Sequence, residues 1–188
     1  MRILETDRLL LRTWTDQDLE PMLAINQDSR VMEYLLPMQA PKQTSELLNR
    51  IRHHFTQYGY CLYATVRKDT GAMIGFIGFN RPSFSCHFTP TVEIGWRLAS
   101  TEWGKGLATE GARAVLDYGF QHWKLPEIVS FTTKGNVRSR RVMEKIGLQH
   151  NPQDDFDHPL VPPLHPLKKH VLYRLDRTTY LRKAEPGT

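Results

Sequence analysis

Cysteine is scarce in this sequence, and long apolar runs do not occur in it. Two cysteines, Cys61 and Cys86, are too few for a disulfide framework, so we expect a reducing, cytoplasmic environment. No apolar run approaches the roughly 18 residues that a membrane span requires. Charged residues interrupt positions 1–7, unlike a secretory signal. These features argue against a disulfide-stabilised secreted domain and against a membrane-spanning protein.

The composition is typical of one globular domain with a basic surface. At 188 residues and 40% hydrophobic content, without an internal repeat or a long linker, the sequence predicts a single domain over residues 1–188. The formal net charge of +5 indicates affinity for an anion but does not identify it. Basic residues cluster at Arg138, Arg140, Arg141 and Lys145. Aromatic residues do not alternate with them as a stacking surface requires, so we do not expect direct binding to nucleic acid.

Two glycines stand just before a long helical pattern. Gly104 and Gly106 permit backbone angles that are closed to other residues, and they let the main chain approach a ligand. Apolar residues at helical spacing follow over 110–120, so the loop amides and the helix dipole converge on one place. We predict that an anion, most naturally a phosphate, binds to the stretch 103–109. An ordinary glycine-rich turn before a surface helix is the alternative.

Two familiar phosphate loops do not fit this spacing. The nucleotide triphosphate loop has its lysine after the second glycine, whereas Lys105 lies between Gly104 and Gly106. The dinucleotide fingerprint has a further glycine and an acidic residue that closes the second strand. Here position 109 is Thr, and the next predicted strand ends without an acidic residue at 131–133.

Strand-like and helix-like patterns alternate along the chain. Predicted strands cover 8–14, 60–66, 72–79, 91–98, 127–133 and 171–175. Predicted helices run through 19–25 after a cap at Thr15 or Asp16, through 47–55, through 110–120 and over 137–146 between Asn136 and Gly147.

The connections predict how these elements are joined. A tight turn at 69–71 makes a hairpin of the strands around it, and Gly95 marks a bulge in the next strand. A strand, a loop, a helix and a strand in this order predict that 127–133 runs parallel to 91–98. We expect 150–169 to be irregular and the tail after Arg177 to be frayed or helical.

The glycine loop resembles the pyrophosphate loop of the GNAT superfamily of acyl-CoA-dependent N-acyltransferases. That loop has Gln or Arg, two variable residues, Gly, one variable residue, and Gly or Ala; here Trp103 stands first, followed by Gly106 and Ala108. The sequence Trp-Gly-Lys-Gly-x-Ala-Thr-Glu resembles the corresponding motif of the RimJ/RimL branch. The sequence Leu-x-Leu-Arg-x-Trp near the start of the chain also resembles that branch. Val-Glu-Ile-Gly-Trp and Thr-x-x-x-Asn-x-x-Ser flank the loop in the family's order. The resemblance spans residues 8 to about 175.

The resemblance implies an α/β (α+β) fold. It implies a single GNAT-like domain with a mixed, mostly antiparallel central sheet, a splayed parallel strand pair and flanking helices. It also implies acetyl-CoA as co-substrate, no metal, and an amine as acceptor, either a protein N-terminus or a small molecule. The second predicted helix would lie beside the acceptor, and both a monomer and a homodimer stay open.

A splayed strand can bind an extended ligand through its backbone as another strand would. We therefore expect Trp96, Arg97 and Leu98 to hydrogen-bond the pantetheine arm. The pyrophosphate would bind to the backbone of the loop residues Gly104, Lys105, Gly106, Leu107, Ala108 and Thr109. The resemblance places Asn136 near the thioester arm, and the same residue fits a helix N-cap.

Acyl transfer needs a neutral amine and a leaving thiol. Glu93 interrupts an otherwise apolar strand and is our candidate for deprotonating the amine through water, since burial raises a carboxyl pKa. A structural carboxylate is an equal alternative. Many GNAT enzymes protonate the thiol with a helix tyrosine, but Met143 stands at that position. Ser139 fits the RimJ/RimL pattern. It would protonate or hydrogen-bond the sulfur, or it would only contact the cofactor. An amide near Leu98 would polarise the thioester carbonyl.

Other chemistries fit less well. Cys86 and His87 would suggest an acyl-cysteine, but adjacent loop residues rarely present a nucleophile and its base together. Acidic residues and histidines recur over 154–170 without a recognised metal-ligand spacing. We therefore predict an acetyl-CoA-dependent N-acetyltransferase that acts by direct transfer in a ternary complex. A CoA-binding sensor without catalytic activity is the alternative, because the usual tyrosine is absent.

Overall fold

The computed structural model describes residues 1–37 and 40–184. The first of its two units is made of Met1–Asn80 and Gly95–Val115, and the second is made of Arg81–Ile94 and the chain from Leu116 onward. The boundaries fall inside one strand and one helix, which therefore contribute residues to both units. The single domain over residues 1–188 stays a prediction.

The first unit is a sheet with flanking helices. Its strands are β1 (Arg2–Glu5), β2 (Leu9–Arg12), β3 (Leu62–Arg67), β4 (Met73–Asn80) and residues 95–98 of β5 (Glu93–Leu98). Its helices are α1 (Leu19–Gln27), α2 (Ser29–Met32), α3 (Pro41–Tyr58) and residues 107–115 of α4 (Leu107–Gln121). Strands β1 to β5 are neighbours in chain order, and β1, β2, β3 and β4 pair antiparallel.

A bidentate ion pair joins β2 to the turn before α1. Arg12 donates from both terminal nitrogens to the Asp18 carboxylate at 2.7 Å, and the Thr15 amide donates to the same carboxylate at 2.8 Å. Burial opposes ionisation of Asp18, but these hydrogen bonds lower its pKa. Thr15 is the N-cap of this turn, whereas the N-cap of α1 is Asp18, so the cap predicted at Thr15 or Asp16 belongs to the turn before the helix.

Helix α3 contains the predicted stretch 47–55 and extends beyond it at both ends. Pro41 occupies its first turn, and Gly59 ends it with a left-handed φ of 77°. Leu48 and Ile51, two of the predicted apolar positions, are buried. None of the helices within 1–37 and 40–184, α3 included, combines the length and the apolar character needed to cross a bilayer.

An irregularity in the first unit lies between β3 and β4. The register shifts between Thr65 and Val66, opposite Gly75, whose φ is 135°. A Cβ at Gly75 would lie 2.0 Å from the Arg97 carbonyl oxygen of β5, so only glycine fits there. The bulge expected at Gly95 stays a prediction.

The second unit carries the parallel strand pair. Its further elements are β6 (Glu127–Thr133), α5 (Val137–Lys145), β7 (Gln149–His150), β8 (Phe156–Asp157), β9 (Lys169–Asp176) and α6 (Arg177–Ala184). Strand β6 runs parallel to β5, with Glu93 opposite Val129 and the Val129 amide donating to the Val92 carbonyl at 2.9 Å. Strand β9 is antiparallel to β6, β7 and β8. The predicted mixed, mostly antiparallel sheet with one parallel pair is therefore confirmed.

The differences from the sequence-based expectations concern short elements. Strand β1 and helix α2 were not predicted, and the segment 150–169, expected to be irregular, contains β8 and a short turn of helix at Pro152–Asp154. The tail after Arg177 is helical in α6. Strands of two to four residues are stabilised by their partners in the sheet rather than by a pattern of their own, and helical turns of three or four residues are too short to show a period, so periodicity reveals neither.

An aromatic core fills one side of the second unit. Phe88 and Phe156 pack with Val129 and Leu172, and their ring centroids are 4.9 Å apart. Phe84 and Phe131 pack against this cluster. Two imidazoles extend it, because the ring centroids of His158 and His170 are 4.8 Å apart and His158 is 4.6 Å from Phe84.

We predict that acid destabilises the protein through His170. Burial lowers the pKa of His170 to about 4 from an ordinary 6.5. As the pH falls below 6.5, the unfolded chain binds a proton that the folded chain excludes, so this stability is present above pH 6.5 and is lost towards pH 4. Allowing for partial exposure, the free energy of unfolding should fall by about 2 kcal/mol over this window.

Urea unfolding at several pH values measures this effect. The variant His170→Phe keeps a ring in the cluster but cannot take up a proton, so its stability should depend less on pH. The control His53→Phe changes an exposed histidine of α3 and should keep the wild-type dependence. An unchanged slope in His170→Phe would contradict this account.

Candidate functional site

The glycine loop presents backbone amides at the start of α4. Gly104 and Gly106 are exposed and have left-handed φ values of 75° and 78°, as predicted. The first hydrogen bond of α4 runs from the Glu110 amide to the Gly106 carbonyl at 3.0 Å. The amides of 106–109 therefore have no carbonyl partner within the helix. The positive end of the helix dipole lies at these amides. This is the arrangement that binds anions at helix starts.

Side chains fix the loop to its surroundings. The Trp103 indole donates to the Leu98 carbonyl of β5 at 3.0 Å. The Lys105 ammonium lies 3.1 Å from a Glu102 carboxylate oxygen, and Arg67 donates to the same oxygen at 3.1 Å. The ammonium group of Lys105 is therefore held beside a carboxylate at the edge of the loop.

A buried polar chain starts from the guanidinium of Arg97 in β5. Its Nη1 donates to the Asn26 side-chain oxygen at 2.6 Å, and the Asn26 side-chain nitrogen donates to the Thr44 hydroxyl at 2.9 Å. Asn26 and Thr44 have no exposed surface. Burial lowers the pKa of Arg97 to about 10, which leaves it charged at neutral pH. The chain fixes β5 to α1 and α3.

The three residues expected to contact pantetheine follow one another in β5. Trp96 is half-buried, and Leu98 is buried. The Leu98 carbonyl accepts the Trp103 indole, and the Arg97 carbonyl faces Gly75 of β4. A carbonyl oxygen can accept two hydrogen bonds, so these contacts are compatible with a ligand at the same strand.

Glu93 opens β5 in the second unit. It is half-buried and stands opposite Val129 of β6. Its chain neighbours Val92 and Ile94 are both buried. The carboxylate thus interrupts an apolar strand as the sequence indicates, and its catalytic use stays a prediction.

Asn136 is the N-cap of α5. Its side-chain oxygen accepts the Ser139 amide at 3.2 Å, and its side-chain nitrogen donates to the Thr132 hydroxyl at 3.0 Å. Both ends of the Asn136 amide are therefore engaged, which supports the capping role weighed from the sequence. Ser139 lies in the first turn and is half-buried. Met143, which the resemblance places at the position of the usual GNAT tyrosine, is buried in the core.

Sequence reasoning missed two residues at the glycine loop. Arg8 donates from Nη1 to the Lys105 carbonyl at 2.9 Å and from Nε to the Glu110 carboxylate at 2.6 Å. The sequence places Arg8 in a predicted strand and Glu110 in a predicted helix, and it indicates no role at the loop for either residue. A signal was present, because a carboxylate at the start of a helix that binds an anion requires a cation to offset its charge.

A second group missed from the sequence joins α5 to β9. The Tyr173 hydroxyl donates to Glu144 at 2.9 Å and accepts from Arg140 Nε at 3.2 Å. Burial and Glu144 raise the pKa of Tyr173, while Arg140 opposes them. Arg140 therefore has a structural contact. The other residues of the predicted basic cluster are exposed: Arg138, Arg141 and Lys145.

The two rival chemistries can also be located. Cys86 Sγ lies 3.6 Å from His87 Nδ1, so the side chains do meet, contrary to the expectation from their adjacency. The reason is a tight turn in which the Cys86 amide donates to the Thr89 hydroxyl at 2.8 Å. Asp155 is paired with His150 at 2.7 Å. Within residues 1–37 and 40–184, no three His, Cys, Asp or Glu side chains gather as metal ligands would.

Comparison with known proteins decides the family. Residues 8–149 match the model of the acetyltransferase (GNAT) domain. The chain belongs to the GNAT family of acetyltransferases. It is 32% identical over 149 residues to the N-acetyltransferase YoaA of Bacillus subtilis (strain 168), which covers 78% of this chain and 82% of YoaA.

Solved structures agree with this GNAT membership. An acetyltransferase from Agrobacterium tumefaciens str. C58 superposes with a TM-score of 0.74 at 29% identity, over 92% of each chain. Spermidine N-acetyltransferase from Vibrio cholerae, in complex with CoA and spermine, superposes with a TM-score of 0.72 over 94% of this chain and 99% of that one. At 18% identity, the second likeness concerns the fold alone.

GNAT membership establishes the class of fold and of reaction. The protein is an N-acetyltransferase, and its family uses acetyl-CoA as the donor and an amine as the acceptor. The alternative of a CoA-binding sensor without activity is not favoured. The RimJ/RimL branch, the acceptor and the site residues stay predictions.

We predict that Asn26→Ala lowers the free energy of unfolding by about 2–3 kcal/mol. The substitution removes the hydrogen-bond partner of the Arg97 guanidinium and of the Thr44 hydroxyl, and both groups stay buried. Urea unfolding measures the change. Asn49→Ala, an exposed site on α3, is the matched control and should change stability by less than about 0.5 kcal/mol. Equal effects in the two variants would contradict the proposed constraint.

Proposed function

We propose that the enzyme binds the diphosphate of acetyl-CoA with the backbone amides of its glycine loop. The observation that carries this proposal is the start of α4, where the amides of 106–109 have no carbonyl partner within the helix. The left-handed Gly104 and Gly106 shape the loop without a side chain over these amides. A diphosphate is an anion whose oxygens can accept several of these N–H groups at once.

The pantetheine arm extends from this loop along β5. We assign Trp96, Arg97 and Leu98 to its backbone hydrogen bonds. The Arg97–Asn26–Thr44 chain supports this assignment, because it fixes the strand that the arm has to follow. Asn136 and Ser139 would then lie near the thioester, as the resemblance implies.

The reaction needs two proton transfers besides the acyl transfer itself. The acceptor nitrogen forms a bond to the thioester carbonyl carbon, and the carbon–sulfur bond breaks. We assign removal of the amine proton to Glu93, acting through water, and hydrogen bonding or protonation of the departing sulfur to Ser139. An amide near Leu98 would stabilise the oxyanion. The transfer is direct, within a ternary complex of enzyme, donor and acceptor.

The acceptor is an amine of a protein N-terminus or of a small molecule. The RimJ/RimL-like sequence of the loop supports a protein N-terminus as the acceptor, whereas the V. cholerae neighbour is named for a polyamine. We place the enzyme in the cytoplasm, as a monomer or a homodimer.

A transfer screen tests the proposal directly. Purified enzyme is offered acetyl-CoA with polyamines, amino acids and N-terminal peptides, and thiol release is recorded. Acetylation of at least one amine is expected, and the preferred acceptor identifies the class. Release of thiol that is independent of any amine would contradict direct transfer.

We predict that Gly106→Val weakens CoA binding by at least about tenfold. A left-handed φ disfavours any residue with a Cβ by about 1–2 kcal/mol, and a displaced loop loses its amide alignment. Calorimetric titration with CoA measures the affinity. Gly71→Val is the matched control, because Gly71 has a similar φ of 70° and no heavy atom within 4 Å of an added Cβ, and it lies in the β3–β4 turn rather than in the glycine loop. Equal CoA affinities in the two variants would contradict the loop assignment.

We predict that Glu93→Gln keeps CoA affinity but lowers kcat by about a hundredfold or more, since a general base contributes on this scale. The variant should also lose the decline of activity at acidic pH, because no carboxylate remains to be protonated. Glu127→Gln, on β6 in the same unit, is the matched control. Full turnover of Glu93→Gln across the pH range would assign Glu93 to structure.

A further inference from the structure

Arg8 lies directly beneath the glycine loop, although it is distant in sequence. Its Nη1 donates to the Lys105 carbonyl at 2.9 Å. A Cβ at Gly106 would lie 3.6 Å from its Nη2, so the guanidinium packs against the loop backbone itself. About half of the Arg8 side chain, 52%, remains exposed.

The bond to the Lys105 carbonyl determines where the next amide points. A trans peptide is planar, and its C=O and N–H groups point in opposite directions. With the Lys105 carbonyl turned towards Arg8, the Gly106 N–H is turned away from Arg8. The Gly106 carbonyl is meanwhile used by the first hydrogen bond of α4, from Glu110. Both peptides on either side of Gly106 are therefore held in one orientation.

Glu110 fixes the position of the guanidinium. Its carboxylate accepts Arg8 Nε at 2.6 Å and the Arg8 backbone amide at 3.0 Å. The Thr6 hydroxyl donates to it at 2.6 Å. Burial opposes ionisation of Glu110, but the hydrogen bonds from Thr6 and Arg8 outweigh it and lower the pKa of Glu110. The carboxylate is thus ionised at neutral pH, and Arg8 has a fixed partner.

We propose that Arg8 is a positioning residue for the diphosphate of the acyl donor. It orients the Lys105–Gly106 peptide so that the Gly106 amide and the first amides of α4 face the ligand together. Its charge also offsets the Glu110 carboxylate, which would otherwise repel an anion at the helix start. This inference rests on the proposed function, because it assumes that the loop binds a diphosphate.

Two variants test the proposal. Arg8→Lys keeps the charge, but a single ammonium cannot reproduce the planar arrangement that binds Glu110 and the Lys105 carbonyl together. Arg8→Ala removes both. We expect the Kd for CoA to rise about tenfold in Arg8→Lys and further in Arg8→Ala, with KM for acetyl-CoA following and kcat within about twofold.

S-Acetylpantetheine separates positioning from general stability. It carries the same thioester arm without the diphosphate, so kcat/KM for this donor should be equal in wild type and Arg8→Lys. The control Arg174→Lys breaks another bidentate Arg–Glu pair, with Glu127 on β6, and should leave the Kd for CoA unchanged. Thermal midpoints of both variants report any loss of folding.

The outcomes separate this inference from the proposed function. Wild-type protein that does not bind CoA would overturn both. Wild-type affinity for CoA in Arg8→Lys would overturn the positioning role alone. An equal loss with acetyl-CoA and with S-acetylpantetheine would also overturn it, since a merely structural defect affects both donors.

Discussion

The arrangement of the first unit depends on one constraint, which is that the loop before α4 has to be held in place without a capping side chain. A helix leaves its first amides without partners, and most helices satisfy them with a capping side chain. Here Gly106 occupies the position before the helix and has no side chain to offer. The loop must therefore be fixed by other means, through Trp103 on the Leu98 carbonyl, Glu102 on Lys105 and Arg8 on the Lys105 carbonyl. These three contacts use side chains and the Lys105 carbonyl, and none of them uses the amides of 106–109.

The buried Arg97 guanidinium extends the same logic to β5. A buried charge is costly unless it is hydrogen-bonded, and Asn26 provides that bond while donating in turn to Thr44. A strand fixed only by its neighbours could shift in register, whereas this chain fixes β5 to two helices. The close approach of Gly75 to the Arg97 carbonyl adds a steric limit on the other side. The strand that we assign to the pantetheine arm is therefore held in one position before any ligand binds.

The sequence predicted most of the long elements but few of the contacts between them. Periodic apolar residues and caps revealed α3, β6 and α5, because these elements carry their signals within one stretch of chain. The pairs Arg8–Glu110 and Arg97–Asn26 join residues far apart in sequence, and the guanidinium of an isolated arginine gives no sign of its partner. The same reason explains why β1 and β8 were missed, since their few residues are ordered by strands elsewhere in the chain.

The second unit limits the choice of a proton donor for the leaving thiol. Met143, which the resemblance places at the position of the usual tyrosine, is buried, and the Tyr173 hydroxyl is engaged by Glu144 and Arg140. The Asn136 amide is likewise engaged at both ends. A thiol with a pKa of about 8.5 leaves far more readily than an alkoxide, so the reaction does not require a strong acid. On our proposal, a serine hydroxyl such as that of Ser139, or solvent, would then be sufficient, and the larger catalytic demand would lie on deprotonation of the amine.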